Sequence, residues 1–121
     1  MEAEPDLGTA IRGLVEGTLA VLDRAAPLVW AVLGDVTAHE GYRRNEGLRR
    51  DGNMELVRIL ARKHPLLPGL SQERARDVLL LLTGPILYSQ LTRDMGWGRA
   101  EVEQWVVATV GQQLFGIDTT R

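Results

Sequence analysis

Apolar residues recur along this chain at the three- and four-residue spacing of helices, and almost nowhere at the alternating spacing of strands. The pattern predicts an all-α protein. A first helix, A, runs from about Pro5 or Asp6 to Arg24, with Leu7, Ile11, Leu14, Val15, Thr18, Leu19 and Leu22 on one stripe, and Pro5 ahead of Asp6 suits a helix start. Helix B follows Ala25-Ala26 with Pro27 in its first turn; Leu28, Val29, Trp30, Val32, Leu33 and Val36 surround most of it, so it is expected to be buried. Between His39 and Asn53 the pattern fails, because Gly41, Gly47 and Gly52 punctuate a charged stretch, and a loop or short frayed helix is expected. Helix C covers about Asn53 to His64, with Asn53 as N-cap and Pro65 just past the end. A turn at Pro68-Gly69 leads to helix D, capped by Ser71 and closed by a left-handed Gly96. Helix E runs from about Gly98-Arg99 to Gly116, and the tail from Ile117 is expected to fray.

Helix D is apolar on more than one side. At ~100° per residue, Ala75, Val78, Leu79, Leu82 and Ile86 share one arc, while Leu80, Gly84, Leu87 and Leu91 share a largely opposite one. One stripe serves the core of its own chain, and the second asks for another helix, as a second chain would supply. Gly84-Pro85 interrupts the helix interior, where the missing amide hydrogen and the ring predict a bend. Helix E repeats the two-sided pattern, with Val102, Trp105, Val106, Thr109, Val110 and Gln113 on one arc and Val107, Gly111, Leu114 and Phe115 on another.

At 121 residues the chain fits one domain, spanning residues 1–121, with enough length to bury a core without staples. It has no cysteine, which removes disulfides and thiolate metal sites and fits a reducing compartment. The N-terminus is acidic, and the longest unbroken apolar run, Val78 to Leu82, is far too short to span a bilayer, so a cytoplasmic protein without a membrane partner is expected. Residues 1–60 hold seven Lys/Arg against ten Asp/Glu and the remainder seven against six, so neither half is basic enough to follow a phosphate backbone. Six aromatic residues, widely spaced, do not make a stacking platform for single strands.

No catalytic group stands out. His39 and His64 are far apart, and His39-Glu40 does not begin a zinc-protease pattern because position 43 is Arg. Gly96-Trp-Gly98 follows a helix and lacks the lysine of a phosphate loop, and neither Ser71 nor Ser89 lies in a nucleophile elbow. No metal, cofactor or enzymatic activity is expected. Arg43, Arg44, Arg49 and Arg50 can grip an anion, but Glu40, Glu46 and Asp51 interleave with them, and a solvated, mobile loop is the better reading. Trp30, Leu33, Tyr42, Met54, Leu60, Thr83, Leu87 and Tyr88 either pack the core or line an apolar ligand pocket, with Thr83 and the tyrosine hydroxyls as orienting groups.

The order Leu82-Thr-Gly-Pro-Ile-Leu-Tyr88, then Arg93-Asp-Met-Gly-Trp97, Val102-Glu-Gln-Trp105 and Leu114-Phe-Gly116 resembles the closing segment of TetR-family transcriptional regulators. The earlier helices match that family's C-terminal regulatory domain in size and order, although only residues 74–116 are distinctive. The resemblance implies a bundle of about five to six helices whose last two pair with those of a second subunit in a four-helix interface. Helices D and E would then be the dimer helices, placing Leu80, Gly84, Leu87, Leu91, Trp97, Trp105, Thr109, Gln112 and Phe115 at the interface. It also implies an apolar small-molecule effector in a pocket of the earlier helices, no cofactor, and DNA contact only through an N-terminal helix-turn-helix unit to which nothing in this sequence corresponds. The chain is therefore expected to be a fragment or a protein lacking the reading head. A stand-alone helical module that pairs with an intact regulator is the alternative.

Overall fold

The computed structural model describes residues 6–33 and 36–119, and the side chains of all of these except 26–42 and 45. Within them every regular element is helical. The order is α1 (Leu7–Leu33), α2 (Val36–Lys63), α3 (Gln72–Leu82), α4 (Pro85–Ser89, continued by a π turn, Gln90–Asp94) and α5 (Arg99–Val110, continued by a π turn, Gly111–Phe115). Because α3 and α4 are the halves of one broken rod, the described chain is four rods rather than five or six.

Helix α1 starts where Asp6 accepts the backbone N–H and the hydroxyl of Thr9, at 2.8 and 2.7 Å. These hydrogen bonds, the hydroxyl's first, hold the Asp6 carboxyl below its usual range. Leu7, Ile11, Val15 and Leu19 are buried on the predicted stripe. The helix continues through Pro27 to Leu33, which corrects the division into helices A and B. A proline removes one amide hydrogen bond, and here that loss does not end the helix.

The largest correction lies in α2. The segment from His39 to Asn53 is helical throughout, continuous with the predicted helix C. Its support comes from polar contacts, which a search for apolar periodicity does not detect. Glu46 pairs with Arg49 at 2.6 Å, and Asn53 donates from Nδ2 to the Arg49 carbonyl at 2.8 Å. Asn53 is therefore a buried residue within the helix and not its N-cap. Farther along, Val57 and Leu60 enter the core, and Arg62 and Lys63 occupy the last turn, where cations suit the helix dipole.

Ser71 caps α3 as predicted, accepting the Arg74 N–H at 3.1 Å. At Gly84-Pro85 the rod breaks outright instead of bending: Gly84 is extended (φ −88°, ψ 159°) and Pro85 opens α4. Two ends close alike. After α4, Gly96 is left-handed (φ 74°) and Trp97 N–H returns to the Leu91 carbonyl; after α5, Gly116 is left-handed (φ 70°) and Ile117 N–H returns to the Gly111 carbonyl.

The tail after Gly116 is docked as far as Thr119, contrary to the expected fraying. Arg12 of α1 donates to the Thr119 carbonyl at 2.6 Å, and the buried Thr119 hydroxyl reaches the Val107 carbonyl at 3.3 Å. Helix α1 packs on α2, α4 and α5, while α3 lies chiefly on α2, so the core sits where these rods meet.

Candidate functional site

The break in the α3–α4 rod frees a carbonyl and leaves a hollow. In an unbroken helix the Gly84 N–H would bond to Leu80; here it turns to Leu81 at 3.2 Å, while Thr83 N–H bonds to Leu79. The Leu80 carbonyl is taken instead by the Arg49 guanidinium of α2, at 3.1 Å, and Glu46 steadies that guanidinium from its other side. Arg49 thus serves the negative end of α3 as a cation supplied by another helix. Gly84 suits this joint, because a Cβ there would lie 3.0 Å from the Leu80 oxygen and 3.6 Å from Arg49.

Around the joint is a hollow of about 280 Å³, lined by Glu46, Arg49 and Arg50 of α2, Asp77, Leu80 and Leu81 of α3, and Gly84, Pro85, Ile86 and Leu87. Three residues expected at a dimer interface, Leu80, Gly84 and Leu87, meet here. Leu91 and Phe115 are buried in the core of the single chain, with Phe115 edge-on to the His64 ring at 5.9 Å. Trp97 and Trp105 meet edge to face at 6.1 Å and 89°, and Trp105 remains 40% exposed. Thr109 donates its hydroxyl to the Trp105 carbonyl, and Gln112 is exposed.

Of the residues expected in a ligand pocket, Trp30, Leu33 and Tyr42 lie outside the described side chains. Of the remaining five, Leu87 alone lines either the hollow at the break or a second one between α1 and α5. Leu60 is fully buried core, Met54 is half-buried, and Leu87 faces the hollow at the break. The Thr83 hydroxyl donates to the Leu79 carbonyl at 2.6 Å, which occupies its proton. Tyr88 is buried and donates to Asp23 of α1 at 2.8 Å. Burial, followed by the hydrogen bond and charge of Asp23, raises its phenol to about 12.

A larger furrow of about 610 Å³ runs between α1 and α5, bordered by Arg12, Glu16, Glu103 and Gln104 over Ala100, Val107 and Thr119. Among the described residues no three His, Asp or Glu side chains converge as metal ligands. Among the described residues no helix is long and apolar enough to cross a membrane. Sequence reasoning placed Arg49 and Arg50 in a solvated loop. The signal that identifies their helix is the Glu46–Arg49–Asn53 spacing, three and four residues apart.

Comparison with protein-family models, curated proteins and solved structures finds no match.

Proposed function

We propose that this chain is the regulatory domain of a TetR-like transcriptional regulator, pairing with a second copy and sensing an apolar small molecule. In this reading it performs no chemistry, and DNA contact belongs to a helix-turn-helix unit that is not among these 121 residues. The observation that carries the reading is the placement of apolar side chains left in water. Of the six large apolar side chains exposed among the described residues, four (Leu81, Ile86, Met95 and Trp105) fall within residues 81–105, inside the segment that resembles the family. Single exposed apolar residues are ordinary, but such a concentration along one part of a chain favours a partner surface. The broken α3–α4 rod adds to this support, since a joint between packed helices is where a bound molecule could alter the spacing of two subunits.

A thermal-shift screen of chemically varied hydrophobic metabolites, followed by calorimetry, tests the sensing role. A ligand present at one hundred times its dissociation constant stabilises the fold by ~2.7 kcal/mol and raises Tm. A broad screen without a binder, together with a monomeric chain, would defeat the proposal.

A further inference from the structure

The hollow at the α3–α4 break carries features that complement one another when the face is turned upon itself. Leu81 is 65% exposed and Ile86 45%, so both project beside a depression whose wall at Gly84 has no side chain. Its rim carries both signs of charge. Glu46 is engaged by Arg49. Arg50 on α2 and Asp77 on α3 remain exposed, the latter touching Arg76 at 3.0 Å on the surface. A two-fold axis brings identical faces together with their left and right sides exchanged. A face holding a projecting leucine, a depression, a cation and an anion can then satisfy all four with its own copy. With Arg49 and Arg50 set against Glu46 and Asp77 the hollow is charge-balanced, which favours neither a small anion nor a basic peptide.

The geometry points to a second copy of this chain seated on this hollow, with Leu81 and Ile86 of each protomer entering the depression of the other. Arg50 of each then lies against Asp77 of the other. The inference rests on the dimer reading above and extends it: α2, which the family resemblance leaves out of the interface, contributes the charge that fixes the register of the two chains.

Charge reversal tests it. Arg50→Asp and Asp77→Arg, each checked for helix content, should weaken the dimer about tenfold or more in sedimentation equilibrium, because like charges then oppose each other across the axis. The double variant should recover to within about threefold of the wild type, since the pair is restored with its signs exchanged. The cysteine-free sequence permits a second measurement. Mixed Arg50→Cys and Asp77→Cys chains should be joined by a short bis-maleimide faster than either chain alone. A wild-type dimer indifferent to both single reversals, or not rescued in the double variant, or lacking preferential crosslinking, overturns this inference and leaves the dimer reading standing. A wild-type chain that stays monomeric overturns both.

Discussion

Replacing Gly111 by alanine sets two known effects against each other, and the structure indicates which should win. Gly111 has ordinary right-handed helical angles (φ −58°, ψ −46°), so the backbone accepts a side chain, and alanine in a helix is favoured over glycine by ~1 kcal/mol. Against this, a Cβ built at Gly111 would stand 2.5 Å from the Thr119 Cγ2 methyl and 3.4 Å from Ile117 Cγ1. Carbon atoms in contact prefer ~3.5–4.0 Å, so the methyl must move by roughly an ångström. It has little freedom to do so. Thr119 is buried, its carbonyl held by Arg12 and its hydroxyl directed at Val107. Overpacking of this kind costs ~1–3 kcal/mol, and expelling the tail instead loses hydrogen bonds of ~1 kcal/mol each. The expected net effect of Gly111→Ala is a destabilisation of up to ~2 kcal/mol after the helix gain is subtracted. Thr119→Ser removes the offending methyl and keeps the hydroxyl. In that background Gly111→Ala should become neutral or stabilising by up to ~1 kcal/mol, a coupling of about 2 kcal/mol. Urea unfolding followed by circular dichroism, at one fixed protein concentration, measures all four corners of the cycle. Equal costs for Gly111→Ala in both backgrounds would refute the steric argument and with it the docked position of the tail.

Gly116→Ala should destabilise by ~1–2 kcal/mol or more, because the left-handed backbone disfavours a side chain and a Cβ would lie 2.7 Å from the Leu67 methyl; urea midpoints give the value. Arg49→Met should cost ~1–2 kcal/mol in the same assay, since the Leu80 carbonyl loses its donor and Glu46 its partner, with the part-exposed setting limiting the loss. Burial, followed by the hydrogen bond and charge of Asp23, pushes the Tyr88 phenol up to about 12 from its ordinary value of 10.0, so folding favours the neutral phenol. Its contribution is full below pH 10 and is lost as pH rises towards 12, and Asp23→Asn should lower the tyrosinate transition seen in ultraviolet titration. Gel shifts with promoter DNA at physiological salt should show no sequence-specific complex, given the acidic balance of the chain; a specific shift that survives added salt would contradict this.

Where burial drives the structure, the sequence pattern was informative. The stripe of α1, the Ser71 cap and the left-handed Gly96 follow from apolar spacing and local backbone chemistry, and all appear where expected. The pattern fails where structure rests on contacts between distant residues. The glycine- and arginine-rich half of α2 has almost no apolar rhythm, yet Arg49 ties it to a carbonyl 31 positions away, and the signal for that tie exists only once the α3–α4 rod has broken. The tail reads as frayed because its anchor, Arg12, lies at the opposite end of the chain. Candidate sites were harder still. A two-sided apolar helix says that a second surface is wanted without distinguishing core from partner. Leu91 and Phe115 are absorbed by the core of one chain, whereas Leu81, assigned to neither arc of helix D, stands in water.

The mass of the purified chain in solution tests the central claim most directly. Light scattering across the micromolar range should give a particle of twice the 13.4 kDa chain mass, dissociating when Leu87 at the hollow is replaced by glutamate. A particle of single-chain mass throughout that range would contradict the account.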